Sequence, residues 1–192
     1  MVRGVLLAAG RGRRFGADKL MQPLEDGRTL ALTSAQTLID VLPGAIAVCR
    51  SEQTLLKQQL EGLGFQVKIC DQADQGMGFT LATAVAASGA QDNFLVALAD
   101  MPFVKAETLQ KLVLALQSGA ALTQPRFGGR AGNPVGVGRR FRDQLIDAQG
   151  DFGARQLLRQ HANEIAYIDV DDPGILQDID RPEDLPCRNA SR

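Results

Sequence analysis

The sequence predicts one α/β domain in three layers, with a mostly parallel sheet between two layers of helices and a β-hairpin insertion. Short apolar segments of strand length alternate with amphipathic segments of helix length over the first 117 residues, an alternation typical of parallel sheets. The chain has 192 residues, of which 45% are hydrophobic and 22% are charged, so it can bury one substantial core. After residue 117 the alternation gives way to short strand-like segments around a Gly-Gly turn, which predicts the hairpin.

In the first half, strand and helix segments follow one another as in Rossmann-like folds. The predicted strands comprise residues 5–9, 45–49, 67–70 and 94–99, and the predicted helices comprise residues 29–42, 52–63, 79–87 and 105–117. Local signals set these boundaries, because Pro43 and Gly44 end the first helix and Gly64 ends the second. Ser51 is a candidate N-cap for the second helix.

The second half departs from this alternation. The predicted hairpin comprises residues 121–124, the Gly128-Gly129 turn and residues 133–137, and two helices (141–148 and 153–159) and a strand (165–170) are predicted after it. No repeat or linker interrupts the sequence. Residues 1–186 are therefore predicted to form the domain, and residues 187–192 a loose tail.

Composition excludes several classes of function. The net charge of −1 gives no reason to expect nucleic acid or membrane partners, and the first apolar run is too short for a secretory signal core. Three cysteines without metal-type spacing, two of them in strand-like runs, predict buried thiols in a reducing cytoplasm. His161 is the only histidine, so a histidine triad or histidine-rich zinc site is excluded, and any metal should be a hard cation held by carboxylates.

A glycine-rich, cationic loop follows the first predicted strand. Its glycines allow backbone N–H groups to approach a ligand, and its basic side chains can neutralise phosphate oxygens. These residues are Gly10, Arg11, Gly12, Arg13, Arg14, Gly16 and Lys19. The loop predicts a polyphosphate site, with a purely steric glycine turn as the alternative. It fits neither the P-loop pattern, which needs Gly-Lys-Ser/Thr, nor a dinucleotide-binding loop, from which a helix should open directly.

Other chemistry-bearing residues follow the later strands, where ligands of open α/β sheets bind. Asp71 follows the third predicted strand and precedes Gly76, Gly78 and Thr80, whose backbone could approach an anion or a base edge. Asp100 ends the apolar run FLVALA, where an unpaired carboxylate is expensive to bury. Mg²⁺, which favours one or two carboxylates plus phosphate oxygens, is a natural partner. The alternatives are a turn-capping aspartate and a structural loop.

Weaker candidates lie in the second half of the chain. Asp169, Asp171 and Asp172 form an acidic tract with Asp178 and Asp180, and this tract could complete a metal site. Arg130, Asn133 and the segment 150–155, which contains Asp151 and Arg155, are weak individually. Solvated polar loops are the alternative for each of them.

Several of these segments resemble the MobA-like nucleotidyltransferases. The run LAAGRGRRFGADK resembles the family signature LAAGxSxRxGxxK, GMGFTL resembles GMGxSL, and LADMP, GDFGAR and DIDRPEDL are similar to later blocks in the same order. The resemblance covers about residues 5–185. Within the family, LAAG is most similar to the molybdenum cofactor cytidylyltransferases. Three residues depart from the pattern: Gly12 and Thr80 each replace a serine, and Asn133 replaces a histidine.

The resemblance implies transfer of CMP from CTP to the terminal phosphate of a molybdopterin-type cofactor, with release of pyrophosphate and a recipient molybdoenzyme as a further partner. It implies nucleotide contacts by Leu7, Ala8, Ala9, Gly10, Gly12, Arg14, Lys19, Asp71, Gly76, Gly78 and Thr80. Lys19, Arg14 and Asp100 would be catalytic, and Asp100 with Asp178 or Asp180 would bind Mg²⁺. Arg130, Asn133, Asp151 and Arg155 would face the acceptor.

Other functions remain open at this point. Guanylyl transfer, or transfer to another small phosphate, uses the same chemistry. A non-catalytic nucleotide or cofactor carrier would keep the fold but release no pyrophosphate. A nicotinamide-dependent reductase is the weakest alternative, although Arg50 after the second predicted strand could meet a 2′-phosphate.

Overall fold

The structure, a computed structural model, describes residues 1–10, 18–150 and 153–185. Its central sheet has the strand order β3-β2-β1-β4-β7-β5, with β6 and β8 both paired to β5. The strands are β1 (Val2–Leu7), β2 (Ile46–Cys49), β3 (Gln66–Ile69), β4 (Asn93–Leu98), β5 (Leu122–Phe127), β6 (Arg130–Ala131), β7 (Val135–Val137) and β8 (Ile165–Asp169). Six strands run in one direction, and β6 and β7 run against them. The carboxyl ends of those six strands therefore share one edge of the sheet.

Helices cover both faces of the sheet, as predicted. They are α1 (Leu30–Val41), α2 (Thr54–Gly62), α3 (Met77–Ala86), α4 (Ala106–Gln117), α5 (Arg142–Ile146) and α6 (Gly153–Gln160). One apolar core joins α1, α2 and α4 to one face, and a second joins α3, α5 and α6 to the other. This is the single three-layer α/β domain that the alternation of apolar segments predicted.

The alternating side chains of β1 show why the chain folds this way. Leu6 contributes to the first core, whereas its neighbours Val5 and Leu7 contribute to the second, because successive side chains of a strand point to opposite faces. Gly4 allows the first layer to pack closely, since a Cβ at this position would lie 2.9 Å from the Cβ of Ala45. Because both faces of this central strand are covered, its inner part, residues 4–7, is apolar.

The predicted elements are present, with two local differences. Thr29 caps α1 by accepting a hydrogen bond from the Leu32 amide, but the prediction for Ser51 is wrong: α2 starts after Gln53, and the Ser51 hydroxyl bonds to Glu52 instead. The predicted hairpin forms across Gly128 and Gly129. Its return strand β7 then enters the main sheet between β4 and β5.

The described thiols are buried. Cys49 and Cys70 are free cysteines inside the fold, and burial raises the pKa of the Cys49 thiol to about 12. Cys187 and the rest of the predicted tail lie outside the described residues. Among the described helices, none has the length and apolar character required to cross a bilayer.

Candidate active site

Three charged side chains meet at the carboxyl edge of the sheet. The Lys19 ammonium donates hydrogen bonds of 2.8 Å to Asp100 Oδ2 and 3.0 Å to Asp180 Oδ1. The Lys19 side chain is only 7% exposed, whereas both carboxylates are partly exposed. We call this group the lysine–aspartate cluster. It joins residues that are 81 and 161 positions apart in the sequence.

Lys19 is held in place by the packing of the turn that carries it. It begins a 3₁₀ turn (Lys19–Met21), and its neighbour Leu20 is buried in the first core beside Leu30 of α1. The carbonyl of Gln22 accepts a hydrogen bond from the Leu30 amide. The turn is thus anchored to the start of α1, and the lysine side chain lies over the strand ends.

Asp100 is fixed by the end of β4. The Ala99 amide donates to the Leu7 carbonyl of β1, and the buried Ser34 hydroxyl of α1 donates to the Ala99 carbonyl over 3.0 Å. The backbone of Asp100 in turn accepts a 3.0 Å hydrogen bond from the Ile179 amide. That last bond brings Asp180 to the cluster, because Asp180 follows Ile179 directly.

The charges of the cluster keep the lysine protonated. Burial by itself lowers the pKa of a lysine, but the charge and hydrogen bond of Asp100 and those of Asp180 outweigh it, so the pKa of Lys19 is raised above its usual 10.5. The three side chains carry one positive and two negative formal charges. A second cation beside them would therefore improve the local charge balance.

The donor set suits a hard divalent cation. Two carboxylates approach a single cationic nitrogen to within 3.0 Å, so they converge on one point and supply the oxygen ligands that Mg²⁺ prefers. Among residues 1–10, 18–150 and 153–185, no group of three or more His, Cys, Asp or Glu side chains could hold a metal. A cation at Asp100 and Asp180 would therefore need phosphate or water oxygens to complete its coordination.

The structure places part of the predicted nucleotide loop. The Leu7 carbonyl and the Ala8 amide are already used within the sheet, by Ala99 and Val48 respectively. Ala9 is buried and Gly10 is exposed, and a Cβ at Gly10 would meet none of the described residues within 4 Å. Gly12 and Arg14, together with Arg11, Arg13 and Gly16, lie outside the described residues, so their predicted roles stay predictions.

The second segment whose backbone is predicted to approach a nucleotide lies at the start of α3. Gly76 precedes the helix with φ 131°, a conformation open to glycine, and Thr80 is buried in the first turns. Gly78 has a packing role of its own, since a Cβ there would lie 2.8 Å from the Gln149 backbone. Asp71 is exposed in the turn after β3. The structure thus places all four at the carboxyl edge, and their contacts to a nucleotide stay a prediction.

Arg50 occupies the same edge, directly after β2. Its side chain is largely buried and pairs with Glu52 over 3.2 Å. Its Nε is buried and has no hydrogen-bond partner among the residues that the structure describes. A buried guanidinium with an unused donor is costly, and sequence reasoning noted this residue only as a possible contact for a 2′-phosphate.

The predicted acceptor residues lie on separate elements. Arg130 lies exposed on β6, which pairs with β5, and Arg155 lies exposed on α6, which packs into the second core. The backbone amide of Asn133 donates a 3.0 Å hydrogen bond to the Ile175 carbonyl. Asp151 lies outside the described residues. The contacts of these residues to an acceptor stay predictions.

The acidic tract does not gather at one point. Asp180, and not Asp178, contacts Lys19; Asp178 is exposed. Asp169 pairs with Arg126 over 2.8 Å, and this hydrogen bond holds the pKa of Asp169 below its usual value. Asp172 is 1% exposed and accepts hydrogen bonds at the start of α4. Sequence reasoning missed the roles of Asp172 and Ser34, and an aspartate beside a Pro-Gly turn was the only available signal for the former.

Two bacterial proteins are similar to this chain over nearly all of its length. Purine catabolism protein PucB of Bacillus subtilis is 29% identical over 94% of this chain and 92% of its own length. Nicotine blue oxidoreductase of Paenarthrobacter nicotinovorans is 30% identical over 96% of this chain and 94% of its own length.

Solved structures share the fold at lower identity. A nucleotidyl transferase from Methanothermobacter thermautotroptrophicus superposes with a TM-score of 0.81 at 23% identity, covering 96% of this chain and 94% of its own. Rv0371c of Mycobacterium tuberculosis, in complex with manganese, gives a TM-score of 0.72 at 20% identity over 88% and 87%. Molybdopterin-guanine dinucleotide biosynthesis protein A of Archaeoglobus fulgidus gives 0.67 at 21% over 95% and 94%.

The match to one protein family covers most of the chain. The MobA-like NTP transferase domain matches residues 4–165, a range that contains the glycine-rich loop, Lys19 and Asp100. The chain therefore belongs to the MobA-like NTP transferase family.

Proposed function

We propose that this protein transfers CMP from CTP to the terminal phosphate of a molybdopterin-type cofactor. An oxygen of the acceptor phosphate attacks the α-phosphorus of CTP, the bond between the α-phosphorus and its bridging oxygen to the β-phosphate breaks, and pyrophosphate leaves with that electron pair. The observation that carries the proposal is the lysine–aspartate cluster. It lies at the carboxyl edge of the sheet, where the glycine-rich loop that follows β1 ends. The similarity of LAAG to the cytidylyltransferase branch supports CTP as the donor.

This reaction needs no general base. The attacking phosphate is already anionic near pH 7, so catalysis depends on alignment and charge neutralisation. The only histidine has its contacts elsewhere: His161 Nδ1 lies 3.0 Å from Glu164 Oε1, and its ring packs against that of Phe141 at an interplanar angle of 55°. The absence of a suitable histidine at the cluster is therefore compatible with nucleotidyl transfer.

Asp100 and Asp180 are the residues that would hold Mg²⁺. Their fit rests on the convergence of two carboxylates on the Lys19 ammonium, and a family neighbour of known structure was solved with manganese. When bound there, the cation would neutralise triphosphate charge and act as a Lewis acid. Asp180 replaces Asp178 in this proposal because only Asp180 contacts Lys19.

Lys19 would bind the triphosphate. A lysine ammonium has three N–H donors, and Lys19 spends two of them on Asp100 and Asp180. The third can donate to a phosphate oxygen and stabilise the negative charge that develops on the leaving pyrophosphate. Because the two carboxylates keep Lys19 protonated and in place, this donor is pre-positioned before the nucleotide arrives.

A pyrophosphate-release assay tests the proposal. The wild-type chain, Mg²⁺ and a molybdopterin-type acceptor are incubated with each of the four NTPs, and CTP should give the fastest release. GTP as the preferred donor would assign guanylyl transfer instead. Nucleotide binding without release in the presence of the acceptor would favour a non-catalytic carrier and contradict the proposal.

A second candidate is hydride transfer with a nicotinamide dinucleotide. It is favoured by the name of one relative, nicotine blue oxidoreductase, at 30% identity, and by Arg50, whose buried guanidinium could meet a 2′-phosphate. Neither observation explains why a lysine should lie between two carboxylates. Oxidation of NADPH by the purified chain with a redox-active acceptor, and without pyrophosphate release, would replace the first proposal with this one.

A further inference from the structure

The segment of residues 172–180, which we call the strap, carries Asp180 to the cluster. It leaves the end of β8, passes the residues that precede β7, and reaches the carboxyl end of β4. Ile175 and Ile179 anchor it in the interior, since both are buried. The strap has no strand partner in the sheet, so the position of Asp180 depends on its individual contacts.

These contacts pair the strap with the loop of residues 100–105, which begins with Asp100. The Ile179 amide donates to the Asp100 carbonyl over 3.0 Å. A Cβ at Gly174 would lie 2.2 Å from the Phe103 carbonyl oxygen, so the two backbones pack without space for a side chain. The two carboxylates of the cluster thus lie on two segments that run side by side in opposite directions.

At the end of the strap away from Asp180, Asp172 joins the strap to the start of α4. Its Oδ2 accepts hydrogen bonds from the Lys105 amide at 2.9 Å and the Thr108 hydroxyl at 2.6 Å, and its Oδ1 accepts one from the Gly174 amide at 3.0 Å. The side chain is 1% exposed. A carboxylate buried so deeply is stable only because three donors and the N-terminal end of α4 compensate its lost hydration.

We propose that Asp172 is the positioning residue for Asp180, and that by locking the strap to α4 it sets the affinity of the Asp100–Asp180 pair for a divalent cation. The effect on cation affinity rests on the proposed function, whereas the positioning of Asp180 by Asp172 does not. Without this lock, the strap keeps its buried isoleucines and the Asn133–Ile175 and Ile179–Asp100 backbone bonds, but it loses its link to α4. Asp180 would then sample positions in which it no longer converges with Asp100.

The test compares Asp172→Asn with a matched control, Asp92→Asn, in the full chain. Asp92 is also buried, accepts hydrogen bonds from Arg3 Nε at 3.3 Å and the Gly89 amide at 3.1 Å, and lies at the opposite end of β4. Both substitutions keep the shape of the side chain and should lower thermal stability. A merely structural role for Asp172 predicts that the two variants behave alike in every other measurement.

The first readout is binding of Mn²⁺ alone, followed by its electron paramagnetic resonance signal. Asp172→Asn should weaken Mn²⁺ binding about tenfold, the low end for loss of a residue that supports metal ligands, and Asp92→Asn should leave it unchanged. The second readout is hydrogen exchange at the Ile179 amide. Its protection should fall in Asp172→Asn relative to the amides of β4, and should not fall in Asp92→Asn.

Each outcome decides. Wild-type Mn²⁺ affinity and unchanged Ile179 protection in Asp172→Asn would overturn the inference. If the wild-type chain itself binds no Mn²⁺, the cation site of the proposed function fails, and Ile179 protection alone judges whether Asp172 positions the strap. If Asp172→Asn does not fold, Thr108→Val replaces it, since this change removes one donor to Asp172 and should shift both readouts in the same direction by less.

Discussion

The two ends of strand β4 carry ionic groups that differ in charge balance and exposure. Before β4, Asp92 pairs with Arg3 over 3.3 Å, accepts the Gly89 amide, and is buried. After β4, Asp100 shares the Lys19 ammonium with Asp180, and both carboxylates are partly exposed. The first group balances one charge with one charge, whereas the second gathers two carboxylates on one ammonium. From this difference we expect that the group at the amino end contributes mainly to stability, and that the group at the carboxyl end can accept a cationic ligand.

The largest expected effect separates activity from stability. Asp100→Asn should reduce nucleotidyl transfer at least about a hundredfold, the scale for loss of one transition-state contact, while the chain stays folded. Asp92→Asn should retain turnover and lose about 1–2 kcal/mol of unfolding free energy, because buried donors lose a charged acceptor. Pyrophosphate release and denaturant unfolding measure the two effects. Near-normal transfer by Asp100→Asn would break the comparison.

The second prediction uses pH to test the lysine–aspartate cluster without any ligand. Because the pKa of Lys19 is raised above 10.5 in the folded chain, its contribution to stability is fully present below pH 10.5 and is lost as pH rises through the raised value. Lys19→Met should therefore be destabilised relative to wild type at neutral pH, and the difference should shrink above pH 10.5. Urea unfolding at a series of pH values measures it.

Arg3→Met is the control at the other end of β4. A guanidinium keeps its charge across this range, so the difference between Arg3→Met and wild type should not shrink in the same window. A parallel decline in both variants would show that general alkaline unfolding, and not the cluster, causes the effect.

A third prediction distinguishes a glycine of the carboxyl edge that is needed for packing from one that is proposed to be needed for nucleotide binding. Gly78→Ala should cost about 1–3 kcal/mol of unfolding free energy, because its Cβ would lie 2.8 Å from the Gln149 backbone and overpacking is destabilising. Gly10→Ala should leave stability unchanged, since a Cβ there meets no atom within 4 Å in the part of the chain that the structure describes. If Gly10 faces the nucleotide as proposed, Gly10→Ala should still weaken CTP binding, measured by calorimetry. Unchanged CTP affinity would remove Gly10 from the site.

The smallest effect concerns the thiols beneath this edge. Cys49 and Cys70 are buried at the ends of β2 and β3, and burial raises the pKa of Cys49 to about 12. In a Cys187→Ser background, a thiol-specific disulfide reagent should react with neither until the chain is unfolded. Rapid reaction of the native chain would show that the carboxyl edge opens more widely than the structure indicates.

The elements of the site differ in how well sequence predicted them. Lys19 and Asp100 were identified because each stands out locally, one closing a cationic glycine loop and the other ending an apolar strand. Asp180 could not be separated from Asp178, because two aspartates flanking Ile179 offer the same chemistry two positions apart. The Ile179–Asp100 backbone bond makes the choice, and a contact between residues so distant in sequence leaves no local pattern.

The sequence by itself determined the three-layer α/β fold, the edge at which the chemistry lies and the kinds of groups available there. It could do so because hydrophobic periodicity and strand-end positions are local properties of the chain. Only the tertiary structure decided that Lys19 bridges Asp100 and Asp180, and that Asp172 locks the strap to α4. These contacts depend on how segments more than 60 residues apart pack against one another, and packing geometry is a property of the folded chain as a whole.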